Sequence, residues 1–329
     1  MNKLILITVF SLFLSLIACT SSKNDAKSDA KGGDSFAYIT NQGDHTVSVI
    51  DIAKAKVIKT IAVGKAPVGV AVSRALNRAY ITNVEGQSIS VIDTNTNLVI
   101  ETMTIKGSPV GITIAPDNKT LYVADWYSDR ILAINTNDLS VQGEVIVATA
   151  PAGLVVSADS KTLYVAARDT NDIAVIDAAS LTIRKRIQVG KHPFGLTLSH
   201  DSKMLYSVNV YDNTVSVIHT DTFKQHTLTV GEHPYCAVLN ANNSMIYVTN
   251  TQDDTVSVID LITLKIIKTI DVGMTPEGIS FDATNNQILV ASWGDNEISI
   301  IDAATNTLKT RIKTGDKSRA FGQFILTSR

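Results

Sequence analysis

Apolar and polar residues alternate in short bursts along this chain, and the bursts repeat. The stretch from Tyr247 to Asp260 shows the unit: Tyr-Val-Thr-Asn, a polar Thr-Gln-Asp-Asp turn, then Thr-Val-Ser-Val-Ile-Asp. Runs of β-branched residues bounded by turn formers predict two short strands joined by a tight turn. The first residue of the unit recurs at Tyr38, Tyr80, Tyr122, Tyr164, Tyr206, Tyr247 and Leu289, in steps of 42, 42, 42, 42, 41 and 42 residues. Its last residue keeps the same steps, at Asp51, Asp93, Asn135, Asp177, His219, Asp260 and Asp302. Each unit holds two more strands. One is an alternating run such as Val57 to Val63 or Lys265 to Val272, and the other is a short apolar run led by proline, such as Val68-Gly69-Val70-Ala71-Val72. A fixed period of this length with four strands per unit predicts an all-β, seven-bladed β-propeller of four-stranded blades.

The prolines fall at Pro67, Pro109, Pro151, Pro193, Pro234 and Pro276, with Ser318 at the seventh place. Proline suits the first residue of a strand, which need not donate to the ladder. The proline-led strand is expected innermost, followed outward by the Tyr strand, the Thr-Val strand and the alternating run. Glycine two places past the proline, at Gly69, Gly111, Gly153, Gly195 and Gly278, lets innermost strands approach closely. Cys236 holds that place in its repeat and reads as a small buried thiol. The chain starts its repeats on a second strand, Phe36 to Asn41, and ends on an apolar segment, Ala320 to Leu326. That segment is expected to become the innermost strand of the blade begun by the N-terminal strands, closing the ring. Gly322 lies four residues past Ser318 rather than two, which leaves the register of closure open.

The first residues carry an address. Lys3 precedes an apolar run, Leu4 to Ile17, ending in Leu16-Ile17-Ala18-Cys19, the layout of a secretory signal. Its ending resembles a bacterial lipobox, which implies cleavage before Cys19 and acylation of that residue. Residues 20–34 are polar, without apolar periodicity, and read as a disordered tether. The expected organisation is a signal peptide over 1–18, a lipidated Cys19 with tether over 19–34, and the propeller over 35–329. A net charge of -2 gives nucleic-acid binding no support. Two cysteines, one of them spent on lipid, leave no disulfide within the chain.

Tyr-Ile-Thr-Asn at Tyr38 and Tyr80, Tyr-Val-Thr-Asn at Tyr247, Thr-Val-Ser-Val-Ile at Thr46, Thr214 and Thr255, and Val-Gly-Lys-x-Pro at Val63 and Val189 resemble the YVTN-repeat β-propeller family. The resemblance implies a seven-bladed propeller of the bacterial or archaeal envelope. It carries over no catalytic residue, because the matching positions are strand and turn residues.

Departures from the repeat are therefore the candidates for function. The residue before each proline is Ala66, Ser108, Ala150, His192, His233, Thr275 and Lys317, and the residue after it is Val68, Val110, Ala152, Phe194, Tyr235, Glu277 and Arg319. The residue following each Tyr strand is Gln42, Val84, Trp126, Arg168, Val210, Thr251 and Trp293. All three sets should lie on one end face. Trp126, Arg168, His192, Phe194, His233, Tyr235, Glu277, Trp293 and Arg319 are the candidate binding residues, for a protein, peptide or small-molecule partner. His192, His233, Glu232, Glu277 and His45 are weighed as metal ligands, but their spacing establishes no coordination geometry. No cofactor and no catalytic residue is assigned. The leading expectation is a monomeric, lipid-anchored, non-enzymatic binding or scaffold propeller, on the outer membrane facing the periplasm where the cell has one. The alternative is a periplasmic metal-dependent, lactonase-like or cofactor-handling propeller.

Overall fold

The computed structural model describes residues 35–327. The expected signal segment, Cys19 and the whole of the tether lie outside the described residues. The described chain is a seven-bladed propeller of four-stranded antiparallel blades. Blade 1 contains Phe36–Asn41, Thr46–Asp51 and Lys56–Ala62, and its innermost place is taken by Ile325–Leu326. Blades 2 to 7 open with the innermost strands Pro67–Ser73, Pro109–Ile114, Pro151–Val156, Pro193–Leu198, Pro234–Leu239 and Pro276–Asp282.

The second and third strands of each blade are buried on both faces because blades stack on either side, so their β-branched residues alternate between two neighbouring cores. Each polar letter of the motif has a structural task. The Tyr38 and Tyr247 hydroxyls donate to Asn97 and Asn306 in the turn of the next blade, at 2.8 and 2.6 Å. Thr40, Thr82 and Thr249 donate to the carbonyls of Val68, Val110 and Glu277 on the next innermost strand, at 3.0, 2.9 and 3.2 Å. The amides of Asn41, Asn83, Asn209 and Asn250 each donate to two hydroxyls on the adjoining strand, such as Thr255 and Ser257 at 3.0 and 2.9 Å. In blade 3 an ion pair, Arg130 to Asp125 at 3.1 Å, takes over that bond. The repeat's polar residues thus satisfy buried groups and tie blades together.

Around the axis the innermost strands come very close. A Cβ built on Gly111 would sit 2.1 Å from the carbonyl oxygen of Ala152, so only glycine fits there.

Closure occurs as expected, with one addition. Phe36 and Ala37 pair antiparallel with Leu326 and Ile325, and the Tyr38 N–H donates to the Phe324 carbonyl at 2.9 Å. Upstream, the Arg319 N–H donates to the Thr40 carbonyl at 2.9 Å. Between these anchors Phe321–Gln323 leaves blade 1 and pairs in parallel with the innermost strand of blade 2, Phe321 opposite Gly69 and Gln323 opposite Ala71. Gly322 has φ +116° and lies against the Val70 carbonyl, which accounts for its displaced position in the seventh repeat.

Candidate ligand-binding end face

The position after each Tyr strand donates its N–H to the carbonyl of the residue preceding proline: Trp126 to Ser108, Val210 to His192, Thr251 to His233 and Trp293 to Thr275, at 3.0 to 3.1 Å. This one bond, repeated around the ring, brings the candidate positions to a single end face. His192 and His233 take φ of 60° and 49°, and their N–H groups donate to Asn171 and Asn213 at 2.8 and 2.9 Å, so the turn fixes where each imidazole starts.

The residues after the prolines form the floor. Val68, Val110, Ala152 and Phe194 are buried on one side of the axis. On the other, Glu277 is buried and paired with Arg319, whose guanidinium also donates to the Tyr235 hydroxyl at 2.8 Å. Phe194 stacks on Tyr235 with centroids 4.1 Å apart, meets Phe321 at 5.0 Å, and takes the edge of Trp126 at 6.1 Å. These rings cap the axial channel. Burial pushes the Glu277 carboxyl above its ordinary range against the pull of Arg319. Burial works against the Arg319 charge too, but Tyr235 and Glu277 outweigh it and hold the guanidinium protonated. Cys236, beside them, is buried, and burial raises its thiol far above the ordinary value, with Glu277 adding to the shift. It is a packed thiol rather than a nucleophile.

Above the floor runs a ribbon of rings and charges across blades 3 to 6. Tyr127 stacks near Trp126 at 6.4 Å, and the Arg168 guanidinium sits 4.5 Å from the Trp126 ring centre. Arg168 pairs with Asp169 at 2.8 Å, and Asp169 lies 3.8 Å from Nδ1 of His192. His192 stacks on Tyr211 at 4.1 Å, and Tyr211 meets His233 edge-on at 5.9 Å. Burial lowers the His192 pKa and Arg168 lowers it further, with Asp169 opposing, so the ring is neutral near pH 7. Tyr127 and Tyr211 are 82% and 61% exposed, the outward surface of the ribbon.

The structure therefore brings together Trp126, Arg168, His192 and His233 in the ribbon and Phe194, Tyr235, Glu277 and Arg319 in the floor. Trp293 stands apart, donating to Gln42 at 3.2 Å with the Lys317 amine 5.3 Å from its ring. Tyr127, Asp169, Tyr211 and Phe321 were not anticipated. The first three lie one position beyond the set compared in the sequence, where the repeat-equivalent residues are Gly43, Glu85, Tyr127, Asp169, Tyr211, Gln252 and Gly294.

The residues weighed as metal ligands are dispersed. Tyr211 lies between the two histidines, Glu277 is committed to Arg319, and His45 Nδ1 accepts the Ala66 N–H at 3.2 Å. Among the described residues no three His, Cys, Asp or Glu side chains converge on one point. Asp253 and Asp254, in the turn after the sixth Tyr strand, accept the N–H groups of Glu232 and Thr275 in other loops at 2.7 and 2.8 Å.

Residues 137–226 match the family described as Lactonase, 7-bladed beta-propeller. No curated protein matches the chain. Among solved structures the chain is similar to the hydrazine synthase of Kuenenia stuttgartiensis (TM-score 0.75, 20% identity, covering 86% of this chain and 99% of that one). It is also similar to a functionally unknown protein of Desulfotomaculum acetoxidans (TM-score 0.76, 13% identity, covering 87% and 99%). A third likeness is to the dihydro-heme d1 dehydrogenase NirN in complex with DHE (TM-score 0.66, 16% identity, covering 84% of this chain and 63% of that one). At these identities the likenesses define the fold, a seven-bladed propeller, and leave the chemistry to the site.

Proposed function

We propose that this protein is a lipid-anchored propeller of the bacterial envelope that binds a protein or peptide partner through the end face spanning blades 3 to 6. The observation that carries the reading is the continuous ribbon from Tyr127 to His233, with two largely exposed tyrosines over a floor whose charges neutralise one another. Large rings with a polar tip supply contact area at little entropic cost, and Arg168 over Trp126 presents a cation without a buried partner to displace. The membrane attachment rests on the segment ending at Cys19. Capture from native envelope extracts with the intact lipoprotein and with a Tyr127→Ala, Tyr211→Ala variant tests the binding reading. A partner retained by the first and lost by the second supports it, and equal capture by both refutes it. Palmitate labelling should be abolished in Cys19→Ala, and labelling that persists refutes the anchor.

The lactonase match favours a second reading, because residues 137–226 include Arg168, Asp169, His192 and Tyr211. Hydrolysis of a lactone by the purified domain, lost in His192→Ala and Asp169→Asn, would replace the first reading with this one.

A further inference from the structure

The end of the propeller opposite the ribbon holds a cavity of about 230 Å³ on the axis. It lies beneath the aromatic cap, with Phe321 at its inner end, and reaches out among Pro116, Leu198 and Gln323, at the far ends of the innermost strands. The innermost strands of blades 3 to 7 and the Phe321–Gln323 segment surround it, so the space follows from the architecture. What lines it is particular to this chain. Leu154, Leu196, Ile279 and Phe321 supply apolar wall, Thr113 and Gln323 supply polar groups, and no Asp, Glu, Lys, Arg or His side chain contributes.

We propose that this cavity is a binding site for a small uncharged molecule, about one ring in size, that carries a hydrogen-bond acceptor. Size comes first: a cavity of about 150 Å³ is enough for benzene, so this one admits a single ring with a substituent. Charge is excluded by the lining, since an ion entering would lose its hydration and find no counter-charge. The acceptor is called for by Gln323, whose Oε1 already accepts from the Ser280 hydroxyl at 3.3 Å, leaving its amide NH2 as the group it can offer. The half-buried Thr113 hydroxyl is a second donor in the wall. Polar groups placed among apolar side chains are how small-molecule sites set orientation. Cys236 also lies in the lining, where five of the other six repeats have glycine.

The test uses cyclohexanone as the neutral ring with an acceptor and cyclohexanecarboxylate as the same ring with a charge. Binding is followed by saturation-transfer NMR and by chemical-shift perturbation of backbone amides. Cyclohexanone should give a transfer signal and saturably shift the amides of Thr113, Leu154 and Gln323, with no effect of the carboxylate. Thr113→Phe, which fills the cavity, should abolish the transfer signal, while Tyr127→Ala, Tyr211→Ala at the other end leaves it unchanged. Failure of cyclohexanone to bind, equal binding of the carboxylate, or wild-type binding by a folded Thr113→Phe chain would each overturn the proposal. Should Thr113→Phe not fold, the position of the shifted amides in the wild-type chain decides: shifts clustered on the cavity lining support the site, and shifts elsewhere overturn it.

Discussion

Replacing Arg319 by methionine removes the counter-charge of a carboxylate that has almost no water around it, since the side chains of Arg319 and Glu277 are only 18% and 10% exposed. Opposite charges about 4 Å apart at an effective dielectric constant near 20 attract by about 4 kcal/mol, and breaking a buried pair by deleting one partner costs about 3–5 kcal/mol. Glu277 can escape part of this by taking up a proton. Its folded pKa is already raised by burial, and without Arg319, which pulls it down, it rises further. A carboxyl whose folded pKa exceeds its unfolded one favours the folded state at low pH, and the advantage is lost as pH rises from the unfolded value toward the folded one. Arg319→Met should therefore lose stability from about pH 4 upward relative to Arg319→Met, Glu277→Gln, which has no carboxyl to titrate there. Urea denaturation followed by the fluorescence of Trp126 and Trp293 measures both. The expected outcome is coincidence of the two variants in acid and a stability gap at neutral pH, with the double variant more stable. Equal stability at neutral pH, or a gap that persists unchanged in acid, would refute the assignment of Glu277 and Arg319 as a buried pair.

Gly111→Ala should destabilise by about 1–3 kcal/mol or more, since the new methyl meets a backbone carbonyl, whereas Gly143→Ala meets only the tip of Leu181 and should cost less; thermal melting compares them. Thr82→Val leaves the Gly69 N–H and the Val110 carbonyl without their hydroxyl and should cost about 1–3 kcal/mol by urea denaturation. Arg168→Ala should raise the His192 pKa, read as a shift of its imidazole resonances to higher pH in an NMR titration; an unmoved midpoint refutes the coupling. Tyr211→Ala, at an exposed ring, should leave the melting midpoint within a few degrees of wild type.

Much of the architecture was legible because the forces that build a propeller act identically in every repeat. Proline at a strand start, glycine where strands crowd, and β-branched residues between stacked blades recur at 42-residue spacing, so each copy corroborates the others. The floor charges stood out as departures from the repeat, Glu277 and Arg319 holding the same place in consecutive repeats 42 positions apart, but their pairing with each other was not read from the sequence. What escaped was direction. Trp126 and Trp293 are repeat-equivalent, yet one turns toward Phe194 and Arg168 while the other turns toward Gln42, according to the neighbours each finds. Tyr211 escaped because its importance lies in being stacked on His192, a contact between two loops. The excursion of Phe321–Gln323 left only a trace, the misplaced Gly322, since parallel pairing with a distant strand has no local signature.

The seam between Phe36–Asn41 and the segment from Arg319 to Leu326 has a kinetic meaning. The Ala320 N–H reaches Thr40 across 280 positions, while blades 2 to 7 each assemble from strands that follow one another directly. Closing that long loop is the slow, entropically expensive event. A chain emerging N-terminus first must hold its opening strands unpaired along one edge until the closing segment arrives. Until then the inner edge of Phe36–Asn41 is an open pairing edge, so a chain that has not yet closed is the form exposed to strand exchange with another copy.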